Sequence, residues 1–270
     1  MRLQNFWIST VGLALAASMV ACGGSKETSS TSATPESPAG TAAGQKVDAA
    51  TAGNVTGTVT VDGAVPKNEA IKMNADPACM KANKDPQFQE TYMVGSDGKS
   101  LGNVFVYVKD GLGNYVFDVP TESAKIDQQN CRYHPHVFGV RVGQKLEIVN
   151  SDPTMHNIHA LPKTNAEFNT AEPMPMKTDH TFNTKEVMVP FKCDVHGWMN
   201  AYVGVMDNPY YAVTDKDGKF ELKSLPPGTY TIEAWHEKLG TMTQSVTLGA
   251  KETKEVTFTF KLAAASATNN

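Results

Sequence analysis

Residues 191–199 read FKCDVHGWM, with Cys193, His196 and Met199 at three-residue steps. A thiol, an imidazole and a thioether spaced this evenly have two explanations: an ordinary loop, or a loop that closes on a soft metal ion. The run leading into them, EVMVPFKC (Glu186–Cys193), is strand-like, and Gly197 lets the chain turn directly afterwards. All three side chains can then converge from one loop. A further donor has to come from elsewhere. NSDPTMHNIH (Asn150–His159), at the end of the strand-like QKLEIVN, offers His156 and His159.

Donor chemistry narrows the metal. Thiolate with imidazoles suits zinc or copper, and Cys193, His196, His156 and His159 together would make a tetrahedral zinc site. In an extended segment, however, residues three apart point to opposite faces, so His156 and His159 do not easily share one ion. Exchanging His159 for Met199 gives two imidazoles, a thiolate and a thioether. That is the set of blue-copper electron-transfer centres, with Met as a weak axial ligand.

At this point Asn150–Met206 resembles the copper-binding half of a cupredoxin of the plastocyanin and amicyanin kind. The pair His156-Asn157 and the C-x-x-H-x-x-M loop carry the resemblance, and RVGQKLEIVN fits the family strand before the first histidine. It implies His156, Cys193 and His196 as equatorial ligands of a type-1 copper ion and Met199 as the axial one. It also implies that the backbone amide of Asn157 donates to the cysteine sulfur. His196 is expected to reach the surface as the electron exit, with Trp198 on an apolar docking rim. A mixed donor set serves Cu(I) and Cu(II) with little rearrangement, as a one-electron carrier requires.

The remaining pattern is all-β. Short alternating or β-branched runs such as VTGTVTVDG (Val55–Gly63) and NVFVYVKDG (Asn103–Gly111) are separated by Gly, Pro, Asn and Asp, and no convincing amphipathic helix occurs. The C-terminal VTDKDGKFELKSLPPGTYTIEAWHEKLGTMTQSVTL resembles the carboxypeptidase regulatory-like family, a small transthyretin-like or carbohydrate-binding-like β-sandwich. Asp217-Gly218, Phe220, Leu222, Leu225, Pro226-Pro227-Gly228 and Tyr230 carry that match. Its usual opening strands are missing directly upstream, and TGTVTVDGAVP and NVFVYVKDG fit their roles. The expected fold is therefore a cupredoxin Greek-key barrel or sandwich, inserted into a second β-sandwich built from both ends of the chain.

The N-terminus sets the compartment. MRLQNFWISTVGLALAASMVAC has a basic Arg2 and an apolar run from Phe6 to Ala21, too short to read first as a membrane span and read instead as an export signal. MVAC resembles a bacterial lipobox, which implies lipidation of Cys22. Gly23 in place of Asp points to the outer rather than the inner membrane of a periplasm-facing envelope. The Ser, Thr, Ala, Gly and Pro that follow cannot bury enough surface to order themselves and read as a tether. The expected organisation is signal peptide 1–21, tether 22–53, an N-terminal β segment 54–122, metal domain 123–207, C-terminal sandwich 208–262 and tail 263–270.

Four cysteines are present. With Cys22 assigned to lipid, Cys79 and Cys131 are the natural pair for a disulfide in an oxidising compartment, although spacing does not fix connectivity. Cys193 is left over, which either a metal ligand or a buried inert thiol would explain.

The net charge of −4 is modest and no basic run occurs, so no nucleic-acid partner is expected. Envelope redox proteins are the expected partners. G-x-S-x-G, G-x-x-x-x-G-K-[ST] and H-E-x-x-H are all missing, so the expectation is no enzyme. Met174, Met176 and His180 on a Pro-rich loop suggest an alternative role in Cu(I) storage or delivery, or Met as adaptable filler. A third reading makes the C-terminal sandwich a binding or structural module. His134 and His136 fit a cupredoxin opening strand without metal, and His159 reads as structural. His236 has no evident partner. DKDG at Asp215–Gly218 lacks the glutamate of a calcium loop and reads as a hairpin turn.

Overall fold

The computed structural model describes residues 44–262, in which the β-branched runs form twenty strands. β1 (Gly53–Asp62) comes first. A long excursion follows, carrying β2 (Ala70–Ile71), the single described helix α1 (Pro77–Ala82), β3 (Gln87–Phe88), β4 (Met93–Val94) and β5 (Leu101–Gly102), before β6 (Phe105–Asp110). Next come β7 (Ala124–Gln129), β8 (Arg132–His134), β9 (Val137–Arg141), β10 (Lys145–Asn150) and β11 (His156–Ala160). They continue as β12 (Phe168–Glu172), β13 (Met176–Thr181), β14 (Glu186–Lys192) and β15 (Asn200–Met206). β16 (Tyr211–Val213), β17 (Lys219–Leu225), β18 (Gly228–His236), β19 (Gly240–Leu248) and β20 (Thr253–Lys261) close the chain. The all-β class expected from the sequence holds. No described helix is long and apolar enough to cross a membrane. Export signal, Cys22 and the tail 263–270 lie outside the described residues.

Strands from both chain ends share one sandwich. β1 alternates buried and less buried residues along its length and runs antiparallel to β17 and parallel to β20. β6 lies between β16 and β18, and β19 completes that sheet. Val55, Val59, Val106, Leu222, Ile232 and Phe258 meet between the two layers. The middle of the chain forms a second pair of sheets, ordered β13-β10-β7-β8 and β12-β11-β14-β15-β9. Ile126, Leu146, Ile148, Phe182, Phe191 and Val203 fill that core.

The join between these lobes explains why Phe105–Val108 is buried on both faces. Val106 and Val108 point into the sandwich, while Phe105 and Tyr107 pack with Val137 and Met206 of the second lobe. Gly139 and Gly204 are paired across β9 and β15 and leave a flat patch for the stacked rings of Phe105 and Tyr211. A Cβ on Gly204 would stand 2.4 Å from the Phe105 ring, and one on Gly139 2.2 Å from the Tyr211 ring. Side chains there would push the lobes apart.

Two segments depart from the expected organisation. Residues 44–52, expected within the tether, run along the sandwich. The Gln45 amide donates to Asn114 O at 3.0 Å, Lys46 pairs with Asp118, and the Lys251 amide donates to Thr51 O at 3.0 Å. These contacts give the stretch GQKVDAATA the order its composition alone does not. The excursion between β1 and β6 also serves both lobes: Leu101 and Val104 at its end enter the sandwich core, while Cys79 within it is bonded to Cys131 of the second lobe.

His236 is buried with Nδ1 accepting from the amides of Lys238 and Leu239, while Nε2 has no hydrogen-bond partner. Burial holds its pKa down to about 4. An imidazole depressed in the fold keeps its full contribution above the unfolded value of about 6.5 and loses it as pH falls towards 4. Unfolding by urea at pH 7 and pH 4.5 should show a loss of about 2–3 kcal/mol from this group. His236→Asn keeps an acceptor for the two amides and should lack that part of the loss; an identical acid response in wild type and variant would refute the assignment.

Candidate metal centre

β14 and β15 are neighbours, and the loop between them is cinched at its base. The Cys193 amide donates to Met199 O at 3.2 Å and the Met199 amide to His196 O at 2.9 Å. Asp194 fixes the loop from outside: its carboxylate accepts from Lys192, Asn169, His159 and Asn157. Asn157 Oδ1 in turn accepts from the Asp194 amide at 2.7 Å. This tie brings β11 and the loop together, with His156 at the start of β11.

His156, Cys193 and His196 present ligand atoms that all lie within 4.8 Å of one another. The two imidazoles face each other through their Nδ1 atoms at 2.9 Å. Cys193 Sγ accepts from the His196 amide at 3.3 Å, and the backbone amides of Asn157 and Val195 also favour its charged form. Met199, on the same loop, is buried in the same cluster as Cys193. All four side chains are 3% exposed or less.

Electrostatics prepares these groups for a cation. Burial penalises the charged imidazolium of His156, but Asp152 and Cys193 outweigh it and raise the pKa to about 9. Burial likewise opposes a thiolate at Cys193, yet His156 and the three amides bring it below the usual thiol value. The same groups that favour positive charge at His156 and negative charge at Cys193 would favour a bound cation, whose uptake releases protons.

Both outer nitrogens are held by carboxylates. His156 Nε2 donates to Asp152 Oδ2 at 2.9 Å, and His196 Nε2 faces Asp76 Oδ2 at 3.0 Å. Neither aspartate was marked by the sequence. Asp76-Pro77 has the form of a helix start, with Asp as N-cap and Pro at the first position, but nothing in it says the helix lies over His196.

The arrangement corrects one expectation. His196 does not reach the surface: α1 and Asp76 cover it, and it is 3% exposed. Trp198 stands beside it with ring centroids 5.0 Å apart, half-buried, and its Nε1 donates to Cys131 O of the second lobe. Cys79 and Cys131 are joined in a disulfide. His159 bonds Asp194 and Glu167, and His136 bonds Glu237 and Asn200 O. His134 is exposed. His180 stacks on Phe168, while Met174 is 62% exposed. Asp215–Gly218 is a turn in which Asp215 Oδ1 accepts from the amides of Asp217 and Lys219.

Residues 199–261 match the family described as carboxypeptidase regulatory-like domain. The match begins inside the metal loop, since β15 belongs to the second lobe. No curated protein matches the chain. Among solved structures, the chain is similar to the copper-containing nitrite reductase of Thermus scotoductus SA-01, with 17% identity over 33% of this chain and 24% of that one, TM-score 0.31. It therefore spans about a quarter of that enzyme. Similarity to an oxidised proline-to-glycine mutant of amicyanin is 18% over 37% and 98% of the two chains, TM-score 0.29. For a novel purple cupredoxin from Nitrosopumilus maritimus the identity is 21% over 31% and 100%, TM-score 0.27.

Proposed function

We propose that this chain is an exported, lipid-anchored type-1 copper protein that carries single electrons between redox partners of the cell envelope. The observation that carries the reading is the convergence of two imidazole Nδ1 atoms and one thiol in a buried pocket, with Met199 on the same short loop. The donor set fits copper. Two imidazoles and a thiolate suit both oxidation states, and a thioether adds a soft contact that zinc does not favour. A copper ion held there supplies a one-electron couple.

The protein's own groups do the rest. His156, Cys193, His196 and Met199 would hold the ion. Asp152 and Asp76 keep each histidine protonated on Nε2, so that Nδ1 is the free donor. Amides of Asn157, Val195 and His196 place positive dipole at the sulfur. Burial of all four donors excludes water and substrate alike, which favours a carrier over a catalyst. Export and anchoring rest on the N-terminal sequence ending at Cys22.

The test is to load the purified protein with Cu(II) and record visible absorption and EPR. Intense thiolate-to-copper charge transfer with narrow hyperfine splitting is expected. A colourless protein that holds zinc as tightly as copper would overturn the proposal.

A further inference from the structure

The excursion between β1 and β6 leaves the sandwich and settles over the metal loop. Asp76 stands at its point of contact. One carboxylate oxygen, Oδ1, accepts from the amides of Ala78 and Cys79 at 2.7 and 3.1 Å, as an N-cap does. The other, Oδ2, lies 3.0 Å from His196 Nε2 and accepts from Thr154 Oγ1 at 3.1 Å. Cys79 Sγ is 3.7 Å from the same nitrogen. Across the disulfide the pattern repeats: the Cys131 amide donates to Asp152 Oδ2 at 2.7 Å, and that oxygen accepts from His156 Nε2. Each half-cystine thus anchors, through its own backbone amide, the carboxylate that holds one imidazole.

Further bonds keep the excursion in place. Asn83 Nδ2 donates to Asn130 O at 2.9 Å, and Arg132 pairs with Glu90 at 3.0 Å. Gln89 Nε2 donates to Trp198 O at 3.1 Å, which ties it to the metal loop itself.

Resting on the copper reading, we propose that Asp76 is a positioning residue of the metal centre, delivered by the disulfide-tied excursion, which seals His196 and sets the balance between the divalent and monovalent ion. The orientation argument is geometric. A carboxylate pinned by two amides has one oxygen left to aim, and it is aimed at Nε2, which leaves Nδ1 for the ion. The balance follows from charge. The Cys193 thiolate, Asp76 and Asp152 surround a buried site where each negative charge stabilises a dication more than a monocation. An unsealed histidine edge would lack one of these charges and would admit water.

Two substitutions separate this role from helix capping, because Asn and Ser are both good N-caps. Asp76→Asn keeps an acceptor near His196 and removes the charge. Asp76→Ser keeps the cap but is too short to reach Nε2. Redox titration of the copper-loaded full chain, followed by its visible band, should show Asp76→Asn shifted towards Cu(I) by at least tenfold, which is about 59 mV for one electron. Asp152→Asn should shift in the same direction, and Asp97→Asn, at an exposed turn, should not. In metal-free protein, diethyl pyrocarbonate labelling of His196 read by mass spectrometry should be at least tenfold faster in Asp76→Ser than in wild type.

An Asp76→Asn protein that holds copper with the wild-type potential would reduce Asp76 to a helix cap and overturn the proposal. Unchanged His196 labelling in Asp76→Ser would do the same. A wild type that takes up copper without the thiolate band would sink the copper reading by itself, and the labelling result would then decide the sealing role.

Discussion

Residues 208–262, produced alone, should fail to fold. This segment contains β16 to β20 and most of the carboxypeptidase regulatory-like match, yet both of its sheets lack their inner strand. β17 and β20 do not touch each other in the ladder; β1 stands between them. β16 and β18 are likewise separated by β6. Only the β18–β19 hairpin keeps a partner, and an isolated hairpin is marginal in water. β1 and β6 also bring Val55, Val59, Val61, Val106 and Val108 to the core, all buried to 3% or less. At about 1.5–3 kcal/mol per buried side chain their loss is on the order of 10 kcal/mol. That matches the whole stability of an ordinary domain, about 5–15 kcal/mol. Circular dichroism and amide dispersion should therefore show an unfolded chain, and supplying residues 44–122 on the same polypeptide, in place of the excised metal lobe, should restore cooperative melting. A cooperative transition in 208–262 alone would show that the ends of the chain are not interdependent.

The same strand exchange shows what a sequence can and cannot display. Period-2 alternation in GNVTGTVTVD is visible because β1 has one face in the core and one nearer solvent. FVYV of β6 reads as a strand from its β-branched and aromatic content, but that both faces are buried depends on a second lobe meeting Phe105 and Tyr107. The convergence of His156, Cys193 and His196 was legible because they are specific residue types within two short motifs, and a local turn suffices to bring Cys193 and His196 together. The cover on His196 was not. Asp76 is 120 positions away, and an N-cap aspartate in front of a short helix looks the same whether or not an imidazole lies beyond it. Exposure of a ligand is a tertiary property, so a resemblance confined to the loop could not carry it.

Closure of that edge changes what partners can meet. On the proposed copper reading, with His196 behind α1 and the disulfide, an electron leaving through this imidazole would pass the excursion rather than a bare histidine. On that reading a partner approaching this imidazole would meet the partly exposed Asp76 before the buried His196.

Replacing Cys193 by serine should have the largest effect on the centre itself. The thiolate is the one soft anionic donor in the set, and its charge-transfer absorption has no counterpart in an alcohol. Serine does not ionise in this range and presents a harder, shorter donor. The visible band should vanish, and Cu(I) affinity measured by competition with a chromogenic chelator should fall by at least 100-fold, about 3 kcal/mol. The fold should survive. Residue 193 is 2% exposed, and a hydroxyl there still finds Asn157 Oδ1 and the His196 amide, which stand 3.3 Å from the present sulfur. Loss of the thiolate also removes one of the two groups that raise His156, so its pKa in the metal-free variant should drop from about 9, as read by NMR titration of the ring. The direction separates a ligand from a buried bystander. An inert thiol exchanged for serine would leave the copper band and the His156 titration where they were, and that outcome would remove Cys193 from the centre.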